Sequence, residues 1–153
     1  MYYFVIATLM CLFPLLSIAI EVGHRGIAFD ALLVCKWFGF WAVGLRLLLA
    51  GLRQVVQPRY TAREILGFKT EESLFLVREL GFANIAIGTI AILGLFVPSW
   101  RLAAALMGGI FYGLAGCSHV FQSHRNRLEN AAMVSDLFVA IVLIGFSIAS
   151  LEH

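Results

Sequence analysis

Residues 41–54 read "WAVGLRLLLAGLRQ", an apolar run that is interrupted by Arg46 and then by Arg53 and Gln54. The apolar segment extends over residues 31–56 and exceeds the ~20 residues that a ~30 Å hydrocarbon core requires. A charge near the bilayer centre costs roughly 2.5–3.5 kcal/mol, so such a side chain usually faces other helices and has a partner there. The stretch therefore predicts a membrane-spanning helix whose arginines lie in the interior of a bundle.

The composition extends this interpretation to the whole chain. Of its 153 residues, 61% are hydrophobic and 13% are charged, and the mean hydropathy is +0.93. A soluble domain is nearer to about half apolar and about a quarter charged. The formal net charge of +2 is small and the basic residues form no single run, so we expect the lipid bilayer, and no nucleic acid, as a partner.

Five apolar segments of spanning length divide the chain. They cover residues 1–20, 31–56, 74–97, 100–122 and 130–150. The expected fold is all-α, an integral membrane helical bundle of five transmembrane helices plus a short interfacial helix, in one domain of residues 1–150. The first segment lacks a basic region before it, which favours a retained span over a cleaved signal, and residues 151–153 resemble a cloning or tag remnant.

Helix-start signals support these limits. Thr70 in "TEES" predicts the N-cap of the third span, because carboxylates follow it in the first turn. Asn126 and Glu129 in "NRLE" predict a reciprocal capping box for the fifth span. Between the second and third spans, Pro58 opens a short helix that Gly67 ends, and we expect this helix to lie in the membrane interface.

Positive charges are distributed unevenly between the two sides of the predicted bundle. The side that holds the N-terminus carries six of them and the other side carries three, which predicts a cytoplasmic N-terminus in a multi-pass protein of the bacterial inner (plasma) membrane. The six are Arg53, Arg59, Arg63, Lys69, Arg125 and Arg127, and the three are Arg25, Lys36 and Arg101.

Polar residues of four helices converge in the predicted cytoplasmic half. With a rise of ~1.5 Å per residue, Arg46, Asn84 and Asp136 lie roughly 10–12 Å inside the boundary, and we expect Arg46 to pair with Asp136. We predict a concave pocket walled by spans two to five, with Arg53, Glu79 and His119 around its mouth. The shallower layer of this candidate ligand-binding or proton site contains Arg53, Arg78, Glu79, His119 and Asn130.

The stretch "GLAGCSHVFQSH", residues 113–124, raises the question of a metal site. On a helix, Cys117 and His119 are about 200° apart and His119 and His124 are about 140° apart, whereas ligation from one helix needs i, i+4 spacing. We therefore expect no metal site. His119 is interpreted as a member of the shallow polar layer, either as a proton carrier or as an interfacial hydrogen-bonding group.

A ladder of small residues runs along the fourth span. Ala105, Gly109, Gly113 and Cys117 are each four residues apart, which lets another helix approach closely. That helix belongs either to the same chain, which is the favoured interpretation, or to a second copy in a homo-oligomer formed through Ala105, Gly109 and Gly113.

Three strings resemble a known group of proteins. "FWAVGLRLLLAGLRQVVQPRYTAREILG", "VRELGFANIAIG" and "GGIFYGLAGCSHV" resemble small bacterial membrane proteins of unassigned function, which are distantly similar to the DoxX-like four-helix bundles. The similarity covers residues 37–145, and the first span is additional to a four-helix pattern. The DoxX association with thiosulfate:quinone oxidoreduction implies a respiratory or quinone link, but the resemblance supplies no catalytic residues.

Three functions are compatible with this pattern. The favoured one is the binding of a small polar or anionic ligand, or a quinone head group, in the cytoplasm-facing pocket. The second is an oligomeric channel or proton-coupled transporter, although neither an inverted repeat nor a broken helix is visible. The third is a structural or assembly subunit of a membrane complex. The sequence contains no catalytic motif, so an enzyme is not the expected class, and it indicates no particular cofactor.

Overall fold

The computed structural model describes residues 2–123 and 126–151. Five helices in it are long and apolar enough to cross a membrane, and the described residues contain no strand, so the predicted all-α bundle is confirmed. The helices are α1 (Tyr3–Arg25), α2 (Ala31–Val56), α3 (Glu72–Leu93), α4 (Pro98–Val120) and α5 (Arg127–Leu151). Several predictions concern residues outside the described ranges. They are Met1 at the start of the first span, His124 in the possible metal spacing, Arg125 among the six basic residues, and Glu152 and His153 in the predicted tag remnant.

Two predicted helix starts have different outcomes. The capping box of α5 is confirmed, since the Asn126 N–H donates to Glu129 Oε2 at 2.7 Å and the Glu129 N–H donates to Asn126 Oδ1 at 2.9 Å. The prediction of Thr70 as the N-cap of α3 is wrong. The helix begins at Glu72 with Glu71 at the N-cap position, so Thr70 lies one residue too early, and its carbonyl accepts a 2.7 Å bond from the Ser73 hydroxyl.

Two of the spanning helices contain wide π-helical turns. Thr8–Leu12 forms one in α1, and Gly39–Leu45 forms the other in α2. The first comes just before Pro14, whose ring lacks an N–H and crowds the preceding turn, so a widened turn relieves that conflict. The second comes directly before Arg46 and changes the direction in which the following side chains leave the helix, a feature that often marks functional sites.

Helices α2 and α3 pack backbone to backbone. A Cβ atom at Gly51 would lie 2.6 Å from the Gly81 carbonyl oxygen, and one at Gly88 would lie 2.8 Å from that of Gly44. Only glycine permits this approach, because any side chain at these positions would collide with the opposite backbone. Asn84 lies between Gly81 and Gly88 on the same face of α3 and therefore faces α2.

The small-residue ladder of α4 packs against α5 of the same chain. A Cβ atom at Gly109 would lie 2.9 Å from Ile144 Cγ1, and one at Gly113 would lie 3.6 Å from the Ala140 Cβ. Ala105, at the deeper end of the ladder, is fully buried. The intramolecular alternative is therefore present in the structure, and the association of two copies stays a prediction.

The connection between α2 and α3 folds back against the bundle. It contains one α-helical turn, Pro58–Tyr60, and a π-helical turn, Thr61–Ile65. Thr61 and Ala62 are buried, and Gly67 follows with a φ of 69°, a left-handed conformation that suits glycine. We call residues 57–71 the connector. Its buried face supplies part of the wall described next.

Candidate functional site

A cavity of about 310 Å³ lies inside the end of the bundle that holds Tyr3 and the connector, which we call the cavity end. All five spanning helices and the connector contribute to its wall, which is mainly apolar. Its charged, amide and imidazole side chains are Arg46, Arg53, Gln54, Asn84, His119 and Asp136. A mostly apolar wall with a few converging polar groups is the usual composition of a small-molecule site.

The ion pair predicted between Arg46 and Asp136 is present. Arg46 Nη2 lies 3.1 Å from Asp136 Oδ1, and both side chains are largely buried. The contact is an ion pair rather than an aligned hydrogen bond, since Asp136 Oδ1 has no hydrogen-bond partner among the described residues. The guanidinium carbon also lies 5.0 Å from the ring centroid of Tyr112, within reach of a cation–π interaction.

The π-helical turn of α2 holds Tyr112 in place. The Arg46 N–H bonds to the carbonyls of Trp41 and Val43, whereas the Ala42 carbonyl accepts the Tyr112 hydroxyl at 2.5 Å. Tyr112 is fully buried, so this bond satisfies the hydroxyl, which is the only donor of its side chain. The irregular turn thus fixes the aromatic ring against which the Arg46 guanidinium packs.

Asn84, which lines the cavity, has an unsatisfied buried acceptor. Its Nδ2 donates to Gln54 Oε1 at 2.8 Å, but its Oδ1 has no hydrogen-bond partner among the described residues. The residue is only 3% exposed. A buried acceptor without a partner costs about 1–3 kcal/mol, and such groups in folded proteins usually serve a bound molecule or an ordered water.

Arg53 supplies a positive charge to the wall of the same cavity. Its guanidinium carbon lies 3.6 Å from the ring centroid of Tyr60, which the connector contributes. No carboxylate of the described residues lies within ion-pair distance of Arg53, in contrast to Arg46. Stacking on a tyrosine fixes the guanidinium plane and leaves its N–H groups available to a ligand.

His119 lies at the edge of the cavity on α4. It is half-buried, and its Nδ1 lies 3.1 Å from Gln122 Oε1, a contact in which either atom takes the role that the tautomer allows. Within the described residues, no group of three or more His, Cys, Asp or Glu side chains could hold a metal ion. His119 can therefore contribute a hydrogen bond or a proton to a molecule in the cavity.

The chain matches a known protein family over its whole length. The chain belongs to DUF6790. This is a family of unknown function, and its model matches residues 1–153, the whole chain. Neither the curated proteins nor the solved structures contain a significant match to the chain.

Three residues expected in the shallow layer lie elsewhere. Arg78, Glu79 and Asn130 are exposed and do not line the cavity, so the expectation of Glu79 at its mouth is not met. The difference lies in the direction in which these side chains leave their helices. On α3, Glu79 lies about 140° around the helix from Asn84, and Arg78 about 120° on the other side, so both leave the outer face. Asn130 is similarly displaced from the buried face of α5 that contains Asp136.

The structure adds groups that the sequence interpretation left out of the site. Gln54 was recognised as polar but was not assigned to the site, although it follows Arg53 and faces α3. Tyr60 and Thr61 line the cavity from the connector, and Val5 lines it from α1, which was not expected to form a wall.

A second buried carboxylate, which the sequence interpretation passed over, lies near the opposite end of the bundle. Glu21 of α1 is 3% exposed. Its oxygens accept from Lys36 Nζ at 2.7 and 2.8 Å, from Trp37 Nε1 at 2.8 Å and from Arg25 Nη1 at 3.3 Å. The sequence did contain a signal for this contact, because a glutamate of α1 and a lysine of α2 both lie near the same end of their helices.

Proposed function

We propose that this membrane protein binds a small polar or anionic head group in the cavity, between the two layers formed by Arg53 and by the Arg46–Asp136 pair. The observation that carries the proposal is the buried Asn84 Oδ1, which has no hydrogen-bond partner among the described residues and belongs to a residue that lines the cavity. A scaffold without a ligand would gain stability by pairing or removing this acceptor, because an unsatisfied buried group is costly.

The charges of the wall favour an anion or a strong acceptor. Arg46 and Arg53 contribute two positive charges and Asp136 contributes one negative charge, which leaves one net positive charge with neutral histidine. The ligand would accept hydrogen bonds from Arg53 and donate one to Asn84. A volume of about 310 Å³ is at the lower end of the range of about 300–1,000 Å³ for small-molecule sites.

A quinone head group is the neutral alternative within the same proposal. Its carbonyl oxygens would accept from Arg53, and the hydroxyl of its reduced form would donate to Asn84. This alternative rests on the proposed distant similarity of α2–α5 to DoxX-like bundles. Fold similarity alone does not establish a function, so the chemistry of the cavity has to decide between the two head groups.

Binding is favoured over passage through the bundle. Met10, Val43 and Leu143 follow the lining residues of α1, α2 and α5 by one or two helical turns toward the opposite end, and each has no exposed surface. These side chains close the interior between the cavity and the opposite end. A ligand that enters the cavity is therefore expected to leave through the same end.

The proposed orientation places the cavity end in the cytoplasm of a bacterial inner membrane. Basic residues are concentrated near this end, as the positive-inside rule requires. Among the described residues they are Arg53, Arg59, Arg63, Lys69 and Arg127. Cysteine-accessibility labelling of intact cells and inverted vesicles tests this orientation, and labelling of an introduced Lys69→Cys from outside would contradict it.

The binding proposal is tested by extracting small molecules from the purified protein. We expect a compound at near-stoichiometric yield from the wild-type protein, and about tenfold less from Arg53→Gln or Asn84→Leu, because each variant removes a direct contact. The matched control is Arg59→Gln, which removes an exposed arginine that pairs with Glu71 at 3.5 Å. Identical extracts from all four proteins would contradict the proposal.

A further inference from the structure

We infer that the ligand of the cavity is a membrane amphiphile with a single negative charge on its head, and that it enters from the lipid phase. The inference rests on the proposed function and specifies its substrate class. It follows from three independent features of the cavity: the chemistry of its rim, the closure of its outer end, and the depth of its exposed apolar rim relative to Arg53.

The rim of the cavity is apolar. Of the described residues that line it, those with more than a third of their surface exposed are Val5 at 40%, Leu49 at 53% and Leu80 at 38%. Every polar lining residue is buried or half-buried. In a bundle that spans a membrane, exposed leucine and valine face hydrocarbon, so the cavity communicates with the lipid at this rim.

The connector closes the side that would face bulk water. Tyr60 stacks on Arg53 at 3.6 Å, and Thr61 is buried where it lines the cavity. Asn126 Nδ2, from the loop before α5, donates to the connector carbonyl of Ile65 at 3.2 Å. The connector is thus held over the cavity from two sides, which makes the aqueous route the more obstructed of the two.

The depth of the groups matches the orientation of a lipid in one leaflet. Leu49 lies four residues before Arg53 on α2, which puts it about 6 Å deeper in the membrane at a rise of ~1.5 Å per residue. A charged head at Arg53 would therefore direct its chain out of the cavity past Leu49 and into the hydrocarbon, away from the deeper Arg46–Asp136 pair. This is the arrangement that a single-chain amphiphile already has before it enters.

The head site selects a monoanion with oxygen acceptors. Arg53 has no carboxylate partner among the described residues, and its guanidinium can donate two parallel hydrogen bonds to a carboxylate. Asn84 Oδ1 accepts from a hydroxyl or from a water that the head retains. One negative charge on the head neutralises the single net positive charge of the cavity wall. A head with two negative charges would leave one of them without compensation.

The first experiment measures binding of three probes to the detergent-purified protein by native mass spectrometry. The probes are palmitate, methyl palmitate and acetate, which separate the chain from the charge. We expect palmitate to bind at least tenfold more tightly than either of the others. We also expect Arg53→Gln to weaken palmitate binding by about tenfold or more, whereas Arg59→Gln leaves it unchanged.

The second experiment tests the portal. Leu49→Trp should slow palmitate exchange severalfold, because the larger ring narrows the rim. Leu52→Trp is the matched control, since Leu52 is 46% exposed on the same helix and does not line the cavity. Equal exchange rates in the two variants would overturn the lipid-side entry.

The remaining outcomes separate this inference from the binding proposal. Acetate binding as tight as palmitate binding would show a small anion from water and would overturn the inference while the proposed function stands. Methyl palmitate binding as tight as palmitate would overturn the anionic head. If none of the probes binds and no compound is extracted from the wild-type protein, both fail. Asn84→Leu provides a second variant in case Arg53→Gln does not fold.

Discussion

Two of the carboxylates that the bundle buries, Glu21 and Asp136, have different surroundings. Glu21, near the opposite end, receives hydrogen bonds from a lysine, a tryptophan and an arginine at 2.7–3.3 Å. Asp136, at the cavity end, has the Arg46 ion pair at 3.1 Å and lines the same cavity as Asn84, whose Oδ1 has no partner among the described residues. The two residues are equally inaccessible, so burial does not distinguish them.

The completeness of the surrounding hydrogen bonds does distinguish them. The Glu21 network connects α1 to α2 with every carboxylate oxygen bonded, which is the arrangement expected of a structural contact. The Asp136 region keeps a cation without a carboxylate partner and an acceptor without a donor, Arg53 and Asn84, among the described residues. Unused hydrogen-bonding capacity beside a cavity, rather than burial of charge, therefore identifies the candidate site.

The largest expected effect concerns the Arg46–Asp136 pair. Arg46→Met and Asp136→Leu should each destabilise the detergent-purified protein by about 3–5 kcal/mol, because each leaves a buried charge without its partner. The double variant should recover part of the loss, since two apolar side chains replace the pair. Unfolding in increasing SDS measures this, and additive losses would show that the two residues are not energetically coupled.

A smaller effect is expected at the other carboxylate. Glu21→Gln keeps the shape but removes the charge that Lys36 and Arg25 bind, and should cost about 1.5–3 kcal/mol. Glu71→Gln is the exposed control and should cost less than about 1 kcal/mol. If the comparison is right, Glu21→Gln does not change palmitate binding at the cavity. A loss of binding comparable to that of Arg53→Gln would break the distinction between the two regions.

The capping box of α5 provides a reference outside both regions. Asn126→Ala should destabilise the protein by about 1 kcal/mol, because it removes the N-cap acceptor of the Leu128 and Glu129 N–H groups. Asn126→Asp retains that acceptor but loses the donor to the Ile65 carbonyl, so it separates capping from attachment of the connector. Equal losses in both variants would assign the effect to the connector instead.

The smallest effect on stability is expected at Asn84. Asn84→Leu removes a buried acceptor that lacks a partner, which offsets the lost bond to Gln54, so the unfolding free energy should change by less than about 1 kcal/mol. Ligand binding should nevertheless fall about tenfold. A loss of stability above about 2 kcal/mol, measured without any ligand, would show that Asn84 is a structural residue.

The sequence predicts the part of this arrangement that depends on hydropathy and depth. The five spans and the contact of Arg46 with Asp136 follow from the apolar runs and from matching positions along the helices. The direction of side chains around each helix does not follow so simply, which is why Glu79 and Arg78 were placed at a pocket that they do not reach. The sequence of an apolar helix indicates only weakly which of its faces points to the bundle interior, because lipid and protein core accept the same residues.

Other features depend on contacts between distant segments. The π-helical turn before Arg46 and its link to Tyr112 join residues 70 positions apart, and neither has a local signature. The approach of α2 to α3 had a signal in retrospect. Gly44 and Gly51 are separated by seven residues, as are Gly81 and Gly88, and two such pairs on consecutive spans indicate close packing.

The most direct test of the central claim is an experimental structure of the protein purified from native membranes in a mild detergent. It should show non-protein density in the cavity within hydrogen-bond distance of Arg53 and of Asn84 Oδ1. The same density should be absent from the structure of Asn84→Leu. A wild-type cavity that is filled by the protein's own side chains, or in which Asn84 Oδ1 pairs with another residue of the chain, would contradict the claim that this region is a ligand site.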